Sequence, residues 1–95
     1  MAQIGRTDYA GGFKTFEVMK DTLLFILTHI VDHPEAVSVE ETTEDSRILL
    51  HVRAHQEDFG KIIGKNGRII KAIRDLIKLI AIKENQYVDV VLDEE

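Results

Sequence analysis

The 95-residue sequence contains no cysteine, and this absence excludes both a disulfide framework and a zinc site built on thiolates. No uninterrupted apolar stretch approaches membrane-spanning length, and the N-terminus lacks a basic segment followed by an apolar run. We therefore expect one small cytoplasmic domain without a membrane partner. A domain of this size buries only a modest fraction of its surface, so partners can add to its stability.

Recognisable catalytic and metal-binding patterns are also missing. The acidic residues are dispersed and Ser46 has no clear base partner, so no catalytic arrangement emerges. His29 and His33 have a helical spacing that can chelate a metal, but no third ligand is specified. His51 and His55 share that spacing in a predicted strand, where they stand too far apart for one ion. We expect surface histidines, no resident metal or cofactor, and no enzyme activity.

Positive charge is concentrated in one stretch, although the whole chain has a formal net charge of −5. Residues 60–83 hold seven basic residues and one acid, a net charge of +6, whereas the remainder carries −11. A basic segment in acidic surroundings indicates a localised anion-binding surface that discourages indiscriminate adhesion to polyanions. A run of charge is usually only a solvated helix face, but the glycines within this run favour a binding site.

Gly64-Lys65-Asn66-Gly67, inside the basic stretch, has the composition of a tight loop between two helices. Glycine adopts backbone conformations closed to other residues and lets another backbone approach closely. Asn66 tolerates the left-handed conformation better than most residues. The helix predicted after the loop begins with unpaired N–H groups that carry partial positive charge, and Lys65 and Arg68 add full charges there. The loop is therefore predicted to hold a phosphate.

Two familiar nucleotide-binding loops do not fit this pattern. A Walker loop has four residues between its glycines, and its Gly-Lys is followed by serine or threonine. Here three residues separate Gly60 from Gly64, and Asn66 stands where the hydroxyl belongs. The three spaced glycines of a dinucleotide fingerprint are absent too. What remains is a GxxG loop between two helices, an arrangement that clamps a nucleic-acid backbone.

The stretch from Ile63 to Ile73 resembles the signature of the KH domain, a module that binds RNA and other single strands. From about Phe25 to Leu92 the chain is similar to the small bacterial single-KH proteins called KH-domain protein A. Residues 28–35 and 59–74 carry most of that closer match. The resemblance implies RNA binding, as a chaperone or post-transcriptional regulator. It also implies a larger KH-containing protein of the Jag type as a partner.

The KH resemblance assigns roles to the loop and to its flanks, where the loop holds the backbone of about four nucleotides of single-stranded RNA. The implied clamp consists of Gly64, Lys65, Asn66 and Gly67. The implied groove floor consists of Ile63 and Ile69, and the implied phosphate contacts are Arg68, Lys61 and Lys71. Weaker candidates for the opposite wall are Val52 and Arg53. Because residues 60–86 contain no aromatic residue, we expect apolar contacts, hydrogen bonds and modest sequence selectivity.

Hydrophobic periodicity predicts an α+β domain with helices packed on one face of a three-stranded sheet. The predicted helices cover residues 15–31, a short segment from about residue 57, and residues 68–83; the strands cover 36–42, 47–54 and 87–92. Pro34 is expected to end the first helix. The order α-β-β-α-α-β resembles the type II KH fold, which implies a closing strand parallel to its neighbour. Residues 1–13 are predicted to be a flexible tail, and residues 14–95 the KH domain.

Both long helices carry more apolar residues than one packing surface needs. The predicted core face of the last helix consists of Ile69, Ile73, Leu76, Ile77 and Ile80, and Ile62 and Ile70 are also expected in the core. Leu79 and Ile82 lie outside that face, either as scattered surface residues or as a dimer contact. An alternative function is therefore an interaction subunit that pairs mainly with itself or with the Jag-type protein. A homodimer would join two weak clamps.

Overall fold

The computed structural model describes residues 15–93, with side chains from residue 17 onward. The predicted tail over residues 1–13 lies outside this description. The helices are α1 (Thr15–Thr28), α2 (Phe59–Ile63) and α3 (Arg68–Lys83), and the strands are β1 (Ser38–Glu44), β2 (Arg47–Arg53) and β3 (Tyr87–Leu92). Short 3-10 turns span Pro34–Ala36, Gln56–Asp58 and Lys65–Gly67. The predicted α+β class and element order are confirmed.

The three strands form one mixed sheet in the order β1-β2-β3. β1 and β2 are antiparallel and are joined through Asp45 and Ser46, whose φ angles are 49° and 68°. Two successive positive φ angles suit a two-residue hairpin because their twist matches that of the strands. β3 lies parallel to β2, and this pairing requires the crossover that α2 and α3 supply. The parallel closing strand implied by the KH resemblance is therefore confirmed.

One face of the sheet is buried by the helices, as predicted. Cross-strand partners on this face include Val39 with Val52 and Leu50 with Val90, and all four side chains are buried. The helices contribute Met19, Leu23 and Leu27 from α1 and Ile70, Ile73, Ile77 and Ala81 from α3. Within residues 15–93, no helix is both long enough and apolar enough to cross a membrane.

Helix α1 ends at Thr28, three residues before its predicted end. Beyond it, the backbone N–H groups of Asp32 and His33 donate to the Asp58 carboxylate, at 3.2 Å and 3.0 Å. These two N–H groups are therefore satisfied by a distant side chain and not by helix carbonyls. Pro34 opens a separate 3-10 turn, so the expectation that it ends the helix directly is wrong.

The buried face of α3 is rotated from the predicted one. Ile73 and Ile77 are buried as expected, but Ile69 is 37% exposed and Leu76 is 43% exposed. Ile70 was also expected in the core, but not as part of the predicted face. It lies on the observed buried face of α3 and is only 7% exposed. The sequence has isoleucine at both 69 and 70, so periodicity alone does not choose between two adjacent apolar stripes. The orientation in which α3 leaves the loop makes that choice.

Candidate nucleic-acid interface

The GxxG loop is a single tight turn between α2 and α3. The N–H of Gly64 donates to Gly60 O at 2.9 Å and ends α2, and the N–H of Gly67 donates to Gly64 O at 3.1 Å. Asn66 has a φ of 59° and Gly67 a φ of 72°, so two consecutive residues are left-handed. The prediction that Asn66 tolerates this conformation is confirmed. Among the described residues, no group accepts a hydrogen bond from the amide N–H of Lys65 or Asn66.

Gly64 brings the loop backbone into direct contact with the side chain of Ile69. A Cβ atom on Gly64 would lie 2.5 Å from Ile69 Cγ1, a separation that real Cβ atoms do not tolerate. Its φ of 78° and ψ of 171° also lie in a region that essentially only glycine occupies. Gly67 differs, because a Cβ there would meet nothing within 4 Å. Gly64 therefore satisfies two constraints and Gly67 only the conformational one.

The basic residue of the implied clamp and the three implied phosphate contacts fall into two pairs. Lys65 and Arg68, at the loop, are exposed and have no ion-pair partner within residues 15–93. Lys61 Nζ lies 3.4 Å from an oxygen of Asp32, and Lys71 Nζ lies 2.9 Å from an oxygen of Asp75. The hydrogen bond from Lys71 holds the pKa of Asp75 below its ordinary value. Lys65 and Arg68 are thus available to an anion without breaking an ion pair to any of the described residues.

The apolar residues beside the loop separate into accessible and buried sets. Ile63 is half-buried and Ile69 is partly exposed, so both are accessible beside the turn. Ile62 is completely buried and Ile70 is nearly so, which confirms that both belong to the core. Val52 is also completely buried, so its side chain cannot form the opposite wall of a groove. The suggestion that Val52 forms the opposite wall was wrong, because its side chain lies on the face of the sheet that the helices cover.

Asp58 is the buried charged residue that sequence reasoning missed. It is only 1% exposed and makes no capping bond at the start of α2. Its carboxylate accepts hydrogen bonds from the N–H groups of Asp32 and His33 and from His33 Nδ1. Burial raises the pKa of Asp58, but these hydrogen bonds outweigh burial and lower it overall. Asp58 thus fixes the segment before α2 to the end of α1.

A family model described as "KhpA/KhpB, KH domain" matches residues 20–92. The chain belongs to this family. The KhpA/KhpB match includes α2, the GxxG loop and α3 in full, together with all three strands. The geometry described above is therefore that of a KH domain, as the sequence signature implied.

Curated relatives of this KhpA/KhpB chain are similar over most of their length. A protein named RNA-binding protein KhpA from Clostridium acetobutylicum is 49% identical over 70 residues, which cover 74% of this chain and 93% of that protein. Its namesake from Clostridium perfringens is 47% identical over the same shares of the two chains. The protein of that name from Chlamydia caviae is 40% identical over 77 residues, covering 81% of this chain and 99% of its own. No solved structure gives a significant match.

A shallow concave patch lies at the other end of α3 in this KhpA/KhpB fold. Its lining includes Lys78, Ile82 and Tyr87. Ile82 follows Arg68 by fourteen residues, which is about 21 Å along a helix. None of the residues expected to bind RNA lines this patch, so it is separate from the GxxG loop.

Proposed function

We propose that this chain binds single-stranded RNA by clamping its sugar–phosphate backbone at the GxxG loop. The observation that carries the proposal is the loop itself, which presents two amide N–H groups and two cations without partners among the described residues. Lys65 and Arg68 supply the cations. Partial positive charge at the start of α3 adds to this anion-binding surface.

The remaining expected RNA contacts lie beside the loop, and they differ in whether an existing ion pair must break before they form. Ile63 and Ile69 offer apolar surface to the bases, whereas Lys61 and Lys71 reach phosphates only after leaving Asp32 and Asp75. Three or four phosphate contacts give weak affinity for one domain, with a salt slope of roughly −0.7 per contact on single strands. Because residues 60–86 contain no aromatic residue, we propose modest selectivity for the RNA sequence.

The names of the curated relatives support the same proposal, since each is called an RNA-binding protein. We extend it to a role as an RNA chaperone or post-transcriptional regulator in the cytoplasm, where binding and not catalysis is the activity. We also propose that the functional KH domain comprises residues 14–95.

The loop is tested by replacing Lys65 and Asn66 together with aspartate. This change places two carboxylates beside the expected phosphates, while aspartate still tolerates the left-handed conformation at position 66. We expect crosslinking to RNA to be abolished and oligonucleotide affinity measured by fluorescence anisotropy to fall at least tenfold. The circular dichroism spectrum and the unfolding midpoint should remain close to those of the wild type.

A matched control changes the net charge by the same amount away from the loop. Lys20→Asp on α1 combined with Thr43→Asp on β1 does so at two exposed positions. This control should keep most of its RNA affinity and lose only the small contribution of long-range attraction. Equal RNA crosslinking by the wild type and the loop variant would defeat the proposal.

A second candidate function is that of an interaction subunit, and the outer side of α3 favours it. Leu79 is 64% exposed and Ile82 is 65% exposed, on a helix where Leu76 is also 43% exposed. Three large apolar side chains on neighbouring turns form a strip that a second copy of this chain, or a Jag-type KH protein, would cover. Pairing would also place two weak clamps on one RNA. The two functions are compatible.

The pairing is tested by sedimentation of the full chain and of Leu79→Glu. We expect the wild type to sediment as a dimer and the variant as a monomer, because a glutamate there would be buried without a partner. Thr43→Glu, at an exposed position on β1, changes the net charge by the same amount and should remain dimeric. A monomeric wild type that also recovers no partner protein in a pull-down would count against this second function.

A further inference from the structure

Two histidines that are far apart in the sequence stack on each other at the end of α1. The rings of His33 and His55 have centroids 4.0 Å apart and planes 14° from parallel. The sequence suggested two other pairings, His29 with His33 and His51 with His55. The structure instead brings together the residue before Pro34 and the residue that opens the 3-10 turn ahead of α2.

The buried carboxylate of Asp58 fixes the hydrogen on one of these rings. His33 Nδ1 lies 3.1 Å from Asp58 Oδ2, and the carboxylate also accepts two backbone N–H groups. An ionised carboxylate only accepts hydrogen bonds, so Nδ1 of His33 must carry the hydrogen. The lone pair of neutral His33 is therefore on Nε2. A carboxylate behind a histidine in this way is the arrangement that orients histidine ligands of metals.

We propose that His33, His55 and Glu57 form a binding site for a divalent metal ion of the zinc class. One ligand atom from each of the three side chains lies within 4.8 Å of those of the other two. Two imidazole nitrogens and one carboxylate oxygen suit Zn²⁺, with a fourth position left for water. The site lies outside the GxxG loop and does not depend on RNA binding.

Metal binding requires one ring to turn, and His55 is held less firmly than His33. Lone pairs lie in the plane of an imidazole, so two nearly parallel rings do not yet point at one ion. His33 is held by the Asp58 carboxylate, whereas the hydrogen bond of the His55 ring within residues 15–93 is the one that Nδ1 accepts from the N–H of Glu57, at 3.1 Å. A metal ion bound through His55 Nδ1 would replace that bond. The side chains of His33 and His55 are 34% and 40% exposed, so an ion reaches them from solvent.

Such an ion would join the end of α1 to the segment that leads into α2. The test is a titration of the full chain with ZnCl₂ at pH 7.5. Binding is measured by calorimetry and by long-range proton–nitrogen spectra of the imidazole rings. We expect one zinc per chain, a shift of the His33 Nε2 resonance, and weaker binding at pH 5.5 because the ligands must be deprotonated.

Two glutamine variants and a control identify the ligands. His55→Gln and His33→Gln should each lower zinc affinity by roughly tenfold or more, and the circular dichroism spectrum of each variant checks that its fold is preserved. His51→Gln is the control, because His51 also lies beside a carboxylate, with Nδ1 3.3 Å from Asp93, but outside the proposed site. Full zinc affinity in His55→Gln, an equal loss in His51→Gln, one zinc per two chains, or no binding at 1 mM zinc would each overturn the proposal.

Discussion

Replacing Gly64 by alanine is expected to destabilise the fold more than the same replacement at Gly67, although both glycines belong to one loop. At Gly64, φ is 78° and ψ is 171°, and placing a residue with a side chain in such a region costs about 1–3 kcal/mol. The new Cβ would also meet Ile69 Cγ1 at 2.5 Å, and overpacking of this kind adds about 1–3 kcal/mol.

The corresponding cost at Gly67 comes from backbone conformation alone. Its φ of 72° and ψ of 17° are left-handed, which costs alanine about 1–2 kcal/mol, and the Cβ meets nothing. Alanine also stiffens the unfolded chain, which returns about 0.4–1 kcal/mol at both positions. We therefore expect losses of roughly 2–5 kcal/mol for Gly64→Ala and roughly 1 kcal/mol for Gly67→Ala.

Urea unfolding followed by circular dichroism measures both losses. Ile69→Ala supplies the second part of the test, because it removes Cγ1 and Cδ1, two of the three atoms that the new Cβ would strike, and leaves only Ile69 Cβ at 2.8 Å. The double variant Gly64→Ala with Ile69→Ala should be more stable than the sum of the single losses predicts, by about 1–3 kcal/mol. Equal losses at Gly64 and Gly67, or strictly additive losses at Gly64 and Ile69, would refute the packing argument.

Two further predictions concern the buried carboxylate of Asp58 and the ion pair between Lys61 and Asp32. The pKa of Asp58 is lowered by its hydrogen bonds, although burial raises it. The ionised Asp58 carboxylate therefore stabilises the fold at pH values above about 3.9, the pKa of an aspartate in the unfolded chain, and this stabilisation is lost as the pH falls through the lower pKa of the folded state. Asp58→Asn should therefore be less stable than the wild type in urea at pH 7, and the two should converge in acid; a difference independent of pH would contradict this. Asp32→Asn should release Lys61 and raise RNA affinity about 1.4- to fivefold at low salt in fluorescence anisotropy, since exposed ion pairs are worth about 0.2–1 kcal/mol. Unchanged affinity would indicate that Lys61 does not reach RNA.

Local features of the sequence predicted most of the fold. Helix α3 and strand β3 have their predicted bounds, because their periods of 3.6 and 2 are clear. Asn85, with a φ of 57°, lies in the turn between them. The hairpin follows from a short polar turn between two alternating strands. The bounds of two elements were less accurate. Strand β1 begins and ends two residues later than the predicted range of 36–42, because Pro34–Ala36 forms a 3-10 turn. At the end of α1 the deciding group is the carboxylate of Asp58, which lies far along the chain.

In the candidate site, too, the features of one short segment were predicted from the sequence, and the contacts between distant segments were not. Asn66 adopts the conformation expected of its residue type, and Lys65 and Arg68 are exposed beside it, because these are properties of a short segment. The sequence did not reveal that Lys61 and Lys71 are held by acids, one of them 29 residues away. The assignment of the loop to RNA stays a prediction, supported by the family match and tested by the aspartate variants.

By itself, the sequence determined the order of the elements, the position of the glycine loop and the concentration of positive charge around it. Each of these depends on backbone preferences, periodicity or charge within one short segment. Tertiary structure decided which of Ile69 and Ile70 enters the core and which histidines meet. It also made Asp58 a buried acceptor for the end of α1. These outcomes depend on distances between segments that are separated along the chain, and such distances exist only once the helices have packed on the sheet.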